Sequence, residues 1–397
     1  MKLWCCYVPN LGSYSYVKLG DISEVITKGT TAKKFLNDGV AFIKIESINS
    51  RTTLGNKLSY ISEEEHKTYL KRSILKEGDI LFSIAGALGI VHIVQKEELP
   101  ANTNQALSII RLKQKEKIEY VSWFLETPSI KKMILELKSI GAQPNLSLEQ
   151  ISNIKIPMLS SNKLEHIVVE LLNTIEKRIE TQNKIIEEKK KLIKVINNVL
   201  FDSSMKEQHK LNNLLYQYGG LSGKSASDFG SGFPYITFLS VLNNYYVEIK
   251  QTGLVKVSDN ERQNIVNYGD VILTLSSETP EEVGVAAVSK VNERVYLNSF
   301  CMGLRPLRHD LLEQEYIPWL FSTKAFRKHI YPYAQGSTRF NLNVSSFMNS
   351  SFFIPSKKEQ ICFSKLLNNL LLEVEIEEKI IGRYKEQKQY LLKNLFI

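Results

Sequence analysis

The sequence predicts an α+β fold: two strand-rich mixed α/β domains separated by two long antiparallel coiled-coil helices, related by an internal pseudo-twofold repeat. Three observations predict it. Sequence blocks of the first half recur in the same order in the second. Each copy closes on a long stretch with an apolar residue at every seventh position. The segments ahead of that stretch are short, β-branched and bounded by Gly, Pro or Asn.

In chain order, Phe42-Ile43-Lys44-Ile45-Glu46-Ser47 matches Tyr235-Ile236-Thr237-Phe238-Leu239-Ser240, and Gly78-Asp79-Ile80-Leu81 returns as Gly269-Asp270-Val271-Ile272. Tyr120-Val121-Ser122-Trp123 returns as Tyr316-Ile317-Pro318-Trp319. Gly141 through Asn145-Leu146-Ser147 returns as Gly336 through Asn341-Leu342-Asn343, and Ile156-Pro157 as Ile354-Pro355. Strands are expected at 41–47, 79–85, 90–94 and 106–111, and short helices at 118–139 and 314–330. The closing stretches align without a gap at a shift of 195, Leu171-Leu172-Asn173 on Leu366-Leu367-Asn368 and Leu200-Phe201 on Leu395-Phe396. Their seven-residue series defines a helix-pairing seam: Leu172, Ile179, Ile186, Ile193 and Leu200 in the first copy, and Leu367, Val374, Ile381 and Leu395 in the second, where Lys388 interrupts it. A helix of roughly 40 residues with such a seam is about 60 Å long and asks for a partner helix. Asn162-x-x-Glu165 and Ser356-x-x-Glu359 read as N-caps with reciprocal glutamates. The expected domains are 1–160, a spacer helix 161–203, a second domain 204–355 and a second spacer helix 356–397, with the polar stretch from Asp202 to Lys210 as the junction.

Composition narrows the function. Lys and Arg number 51 against 42 Asp and Glu, and the net charge of +9 permits a polyanionic partner. Cys5 and Cys6 are adjacent while Cys301 and Cys362 stand alone, so no Cys-x-x-Cys pair exists and reduced thiols are expected. No apolar run reaches membrane-spanning length, and a cytoplasmic protein without membrane contact is expected.

The catalytic inventory is mostly negative. Gly219-Gly220-Leu221-Ser222-Gly223-Lys224-Ser225 is one residue short of a phosphate-binding loop and reads as a flexible Gly/Ser loop. Asp228 with Glu248-x-Lys250 can be forced into a metal-nuclease pattern, but the spacing is loose and the first repeat has no counterpart. His66, His92, His166, His209, His309 and His329 lack metal-ligand spacing. No dinucleotide-type Gly-rich turn and no Asn/Asp-Pro-Pro-aromatic motif for methylating a flipped base is found. Neither catalytic nor metal-ligating residues are expected.

Two similar modules with net positive charge fit a reader of two DNA half-sites. Candidate DNA contacts are Lys28, Thr30, Lys33 and Lys34 in one basic loop, Arg51 and Lys57 after the next strand, and the pair Lys71 and Arg72. In the second module they are Lys224, Arg262, Arg294 and Arg339. Arginine can read guanine edges bidentately, whereas lysine more often positions phosphate. The plain alternative for each is a solvated surface charge, and Lys189 to Lys191, beside Glu187 and Glu188, are read that way. Two rival functions stay open: an interaction scaffold with two ligand-binding domains on a coiled coil, and a nuclease built around Asp228, Glu248 and Lys250.

The pattern resembles the specificity subunits of type I restriction–modification systems. Val17-Lys18-Leu19-Gly20-Asp21-Ile22 looks like the start of that family's target-recognition domain, and Gly78-Asp79-Ile80-Leu81-Phe82-Ser83 with Gly86 and Gly89 resembles its central strand motif. Gly141 to Ser147 before Ile156-Pro157, and Gly336-Ser337-Thr338-Arg339 before Ile354-Pro355, look like its domain exits. Glu359-Gln360 fits its helix start, from which Glu165-His166 departs by one residue. The resemblance implies two target-recognition domains reading a split, asymmetric double-stranded DNA target, with the long helices as a ruler for the unread gap. It implies two methyltransferase (modification) subunits and further restriction subunits as partners. S-adenosylmethionine, ATP and Mg are then expected on those partners, and no cofactor on this chain. A related methyltransferase–nuclease system with a separate specificity chain fits the same motifs. Two departures stand out: Ser276 to Pro280 replaces the glycine-spaced turn after Gly269, and Met1 to Tyr16 has no match.

Overall fold

The computed structural model of the chain describes residues 14–138 and 145–396. The Gly141-Ala142-Gln143-Pro144 stretch, most of the unmatched start, and Cys5 and Cys6 lie outside the described residues. The chain forms two units, Met1–Asn183 with Lys379–Ile397, and Lys184–Glu378.

The first unit holds β1 (Tyr14–Lys18), β2 (Ser23–Lys28), β3 (Val40–Ile43), β4 (Ser59–Ile61), β5 (Ile80–Ser83), β6 (Val91–Ile93), β7 (Ala101–Thr103), β8 (Leu107–Leu112) and β9 (Lys155–Leu159). They form an antiparallel sheet β2-β8-β5-β6, a sheet β4-β3-β7 in which β3 runs antiparallel to β4 and parallel to β7, and the ribbon β1-β9. β5 is buried at every position, which is why Ile80, Leu81 and Phe82 read as an apolar run rather than an alternation, and the buried Ser83 hydroxyl donates to Ala87 O. Helices Ile118–Leu125 and Pro128–Lys138 follow. The core joins Ile80, Phe82 and Trp123 to Leu172, Ile175 and Ile179 of the first long helix (Asn162–Ser203) and to Leu391, Leu395 and Phe396 at the end of the second (Lys357–Asn394 with the residues after it).

The second unit repeats the plan with β10 (Lys206–Lys210), β11 (Leu215–Gly219), β12 (Phe229–Ile236), β13 (Tyr246–Val247), β14 (Thr252–Val255), β15 (Val271–Thr274), β16 (Ser276–Ser277), β17 (Ala286–Ser289), β18 (Tyr296–Leu297), β19 (Cys301–Pro306), β20 (Ala334–Gln335), β21 (Phe340–Leu342) and β22 (Ser351–Pro355). The sheet β11-β19-β15-β17-β13 mirrors the first unit's main sheet with one strand added. In β14-β12-β18 the central strand is again antiparallel to one neighbour and parallel to the other, and β10 pairs with β22 as β1 does with β9. The expected polar junction therefore contains a strand, β10. The departure after Gly269 is structural as well, since Ser276 and Ser277 pair with Asn341 and Phe340. Cys301 is buried at the start of β19, and burial pushes its thiol up to about 12.

The repeated sequence blocks have local causes. Gly78 and Gly269 both sit at φ +83, a left-handed position that favours glycine. The next residue then turns its carboxylate inward. Asp79 takes both Nε and Nη2 of Arg111 at 2.7 Å, and Asp270 takes those of Arg305 at 2.9 and 2.7 Å. Each aspartate also accepts a backbone N–H from its own turn, and Tyr218 donates to Asp270 at 2.6 Å. These bonds hold the Arg111 and Arg305 guanidinium pKa above its ordinary value. The Gly-Asp motif is a turn pinned by a fork from the neighbouring strand.

A second repeated device joins each globular layer to a long helix. Trp123 donates its indole N–H to Asn173 at 2.9 Å, and Asn173 donates to Glu119 at 2.5 Å. Trp319 donates to Asn368 at 2.8 Å, and Asn368 to Glu315 at 3.2 Å. Both indoles are fully buried, so the asparagine supplies the acceptor that burial would otherwise remove.

The first unit contains the N-terminal half of the first long helix and the C-terminal half of the second, and the other unit the converse, so the helices run antiparallel. The seam residues Leu172, Ile179, Ile186, Ile193, Leu367, Val374, Ile381 and Leu395 are buried and Leu200 half-buried. Ser356 and Glu359 form the expected reciprocal cap. In the first copy the helix already includes Asn162, and the buried Glu165 reaches back to the Leu159 N–H and to Lys117 instead. Lys388, the break in the apolar series, points its ammonium between Glu126 (3.1 Å) and Glu176 (2.8 Å), 4.8 Å from the centre of the Trp123 ring. Arg51 also lies against that ring, at 3.9 Å, bonded to Ser122 at 3.0 Å and Asn173 at 2.6 Å. Burial lowers its pKa, while Glu126, Glu119, Glu176 and Glu180 pull the other way. The second unit answers with apolar packing. Ile193 stands at the position of Lys388, and Tyr245 stacks on Trp319 at 4.0 Å.

Truncating Asp79 to alanine strands the Arg111 guanidinium and is expected to cost about 3 kcal/mol, read as a lowered urea midpoint, and truncating Asp270 to cost less, because Arg305 is 37% exposed and water screens its charge. Arg51→Ala, which leaves Glu126 and Glu176 to Lys388 alone, is expected to cost about 3 kcal/mol. Lys388→Ile removes a cation that bridges two carboxylates within reach of solvent and is expected to cost less, about 1 kcal/mol. A Lys388→Ile protein as stable as the parent would contradict the ionic reading of this seam.

Candidate nucleic-acid interface

The same backbone framework underlies one loop cluster in each unit. After β2, Gly29 lies so close to the strand end that a Cβ there would sit 2.0 Å from the Asn104 carbonyl oxygen. After β11, a Cβ on Gly220 would sit 2.1 Å from that of Asn298. The next amide bonds across in both: Thr30 N–H to Thr103 O at 3.0 Å, and Leu221 N–H to Leu297 O at 2.7 Å. Only glycine permits this approach. Thr31 is thereby equivalent to Ser222, Lys33 to Lys224, and Gln105 to Ser299.

In the first unit three loops converge on this framework. Arg72 donates to the Thr30 hydroxyl at 3.4 Å, Thr31 donates to the Gln105 side-chain carbonyl, and the Lys33 ammonium lies 4.4 Å from the Tyr69 ring centre. Thr31, Lys33, Lys34, Tyr69, Lys71, Arg72 and Gln105 are all exposed. Beneath them sits a buried polar base. Asn102, fully buried at the β7 edge, donates to Leu70 O at 2.9 Å and to the Ser73 hydroxyl at 3.2 Å, and His66 Nδ1 lies 2.5 Å from its Oδ1. The segment carrying Tyr69, Lys71 and Arg72 is thus fastened to the strand that leads to Gln105.

In the second unit the equivalent loops spend their groups on one another. Lys224 is bonded to Glu261 at 2.5 Å, and that pairing drops the Glu261 carboxyl to about 2. Gln263 accepts from Ser222 N–H at 3.1 Å and donates to Ser222 O at 2.9 Å. Exposed cations stand elsewhere. Arg294 lies 4.9 Å from the Phe233 ring centre, and Arg339 lies 4.5 Å from that of Phe300 with its Nε fixed on the Ser276 hydroxyl at 2.8 Å.

The structure therefore gathers Thr30, Lys33, Lys34, Lys71 and Arg72, with Lys28 exposed at the end of β2 leading into them. It does not gather Arg51 or Lys57. Arg51 is 6% exposed and its two terminal nitrogens are bonded to Ser122 and Asn173, which removes it from any solvent-facing surface, and Lys57 is exposed beside the Ser47 turn. Arg262, Arg294 and Arg339 are exposed, and Lys224 is neutralised. Sequence reasoning missed Thr31, Tyr69, Gln105 and Phe300. The signal available was the polar run Asn102 to Gln105 set between two apolar strands. Asp228 caps its own turn through Ser225, Glu248 pairs with Lys250 at 2.6 Å, and among the described residues no cluster of His, Cys, Asp or Glu could hold a metal. No helix among them is long and apolar enough to cross a membrane.

Residues 13–191 and 208–383 each match the type I restriction modification DNA specificity domain. The chain is 30% identical over 152 residues to the type I restriction enzyme EcoBI specificity subunit of Escherichia coli, covering 37% of this chain and 31% of that one. It is 28% identical over 145 residues to the HindI specificity subunit of Haemophilus influenzae, covering 35% and 30%. The matched stretches thus span less than a third of either relative. Among solved structures, the chain superposes on a type I restriction–modification S subunit from M. genitalium with a TM-score of 0.52 at 15% identity, covering 98% of both chains. It superposes with a TM-score of 0.60, at 15% identity and covering 97% of both, on a chain from a study of complex assembly and conformational transition of the type I R-M system. At that identity the likeness is one of fold.

Proposed function

The chain belongs to the type I restriction modification DNA specificity family, and from that premise we propose that it is the specificity subunit of a type I restriction–modification complex, reading a bipartite, asymmetric double-stranded DNA target with one unit per half. The observation that carries this is the pair of loop clusters. One backbone framework, fixed by Gly29 and Gly220, presents Lys, Arg, Gln and Tyr in one unit and a self-neutralised loop with stacked arginines in the other. A shared framework with unlike exposed groups is what two unlike half-sites call for, because backbone geometry sets the approach to DNA and side chains set the bases read.

In this reading the chain does no chemistry of its own. Methyltransferase subunits bring S-adenosylmethionine, and restriction subunits bring ATP and Mg. The first long helix supports such docking, keeping Leu192, Val195 and Val199 exposed at 54%, 58% and 59% in a stripe a partner can cover. Its 42 unbroken residues, about 63 Å, cross the unit boundary at residue 183 and suit a spacer that fixes the gap between half-sites. Two half-site readings joined by a stiff spacer become one tight binding event only when the gap fits.

Inserting four residues into each long helix at the unit boundary is expected to lengthen the preferred gap, at about 6 Å of added helix, and to leave the half-site sequences alone. Binding of the assembled complex to duplexes of graded gap length tests it, and an unchanged gap would contradict the ruler. Lys34→Ala with Lys71→Ala is expected to weaken binding to all sequences alike and to lower the slope of log K against log salt by about 1–2. Salt-independent binding, or none to DNA, would favour a protein-scaffold role.

A further inference from the structure

We propose that Gln105 and Arg72 are base-reading side chains of the first unit, held at the surface by the buried Asn102–His66 pair; the inference rests on the DNA-reading function above and names its residues there. The two groups differ from Lys34 and Lys71 around them in being oriented. Thr31 donates to the Gln105 carbonyl oxygen, which fixes the amide plane and leaves that oxygen a second lone pair and the amide nitrogen its protons. A Gln so held presents an acceptor and a donor side by side, the complement of the adenine N6–H and N7 edge. The Arg72 fork, tethered at one Nη by Thr30, presents the complement of guanine O6 and N7.

The base beneath them explains why a histidine and an asparagine are buried so near the surface. Asn102 Nδ2 spans Leu70 O and the Ser73 hydroxyl, and its Oδ1 meets His66, so the turn bearing Arg72 and the strand running to Gln105 move as one piece. A polar network fully inside the protein is costly unless every member is satisfied, and here it rigidifies the part of the surface that carries the oriented groups. Lys34 and Lys71 flank the pair as flexible point charges suited to phosphate, and Lys33 stands over the Tyr69 ring. At the position of Gln105 the second unit has Ser299, a short hydroxyl in place of an amide, so the two units present unlike groups at this point of the framework.

The test is base-resolved methylation by the complex assembled with its methyltransferase subunit, on a duplex library in which each position of one half-site is varied in turn. Gln105→Ala and Arg72→Ala are each expected to relax one position of the same half, with discrimination there falling roughly 5- to 150-fold, while the other half and the gap stay unchanged. Gln105→Glu is expected to move the preference at its position toward cytosine, whose N4–H donor a carboxylate accepts. Lys34→Ala serves as the contrast, lowering the rate evenly across the library. The proposal is overturned if both alanine variants keep the parent motif, or if they lose methylation uniformly at every position. A parent complex that methylates nothing in the library, yet forms and binds S-adenosylmethionine, would instead overturn the DNA-reading function itself.

Discussion

The indole of Trp123, and in the second repeat that of Trp319, must bury a large apolar ring and one polar N–H at the same place. The rest of each unit is arranged around that constraint. Asn173 and Asn368 answer it from the long helices, and Glu119 and Glu315 hold the asparagines from the turn just before each tryptophan. Three side chains thereby tie a helix of the globular layer to a fixed point on a heptad series. Once the asparagine is fixed, Leu172 and Leu367 beside it face inward, and the seam follows at every seventh residue. A register slip would take the helix acceptor from both indoles and leave the Trp123 N–H unbonded in the core, while Trp319 keeps the Tyr246 hydroxyl at 3.2 Å, so the anchor specifies position as well as adding stability.

Duplication gave both units this anchor, and the residues around it then diverged. In the first unit, charge fills the space: Arg51 and Lys388 lie against Trp123 with Glu126 and Glu176 between them. In the second, Tyr245 stacks on Trp319 and the buried, uncharged Ile193 holds the position equivalent to Lys388. Because the long helices are repeats of one another, their halves could in principle exchange. Placing Ile193 where Lys388 belongs would leave the carboxylates short of a cation, and the reverse would put an ammonium at the buried position of Ile193, so the ionic pattern makes the halves non-equivalent. The loop clusters diverged on the same logic, with backbone kept and exposed groups changed.

Much of this was legible in the sequence. The repeat, the seam and the Gly-Asp blocks are periodic or local signals, and they carry the fold directly. Lys388 was visible as a break in the series, but its partners were not, because Glu126 and Glu176 are distant in sequence and nothing local points to them. Arg51 is the instructive case. A basic residue after a strand reads as surface charge, yet its guanidinium is paired and stacked inside, a placement set wholly by tertiary contacts. Gln105 was invisible for the opposite reason. It is an uncharged residue on a short polar run, and only the meeting of three loops gives it neighbours. The Asn162 cap also misled, since Glu165 found a better donor set in the Leu159 N–H and Lys117 than in its own helix end.

The proposed function places two unlike readers on one duplicated frame. The measurement that tests it most directly is single-molecule methylome sequencing of a methylation-free host expressing this chain with the methyltransferase subunit proposed as its partner. A split motif of two different half-sites around a constant gap, with methyladenine in both halves, is the predicted result. A palindromic or continuous motif, or a stable complex that leaves the genome unmethylated, would contradict it.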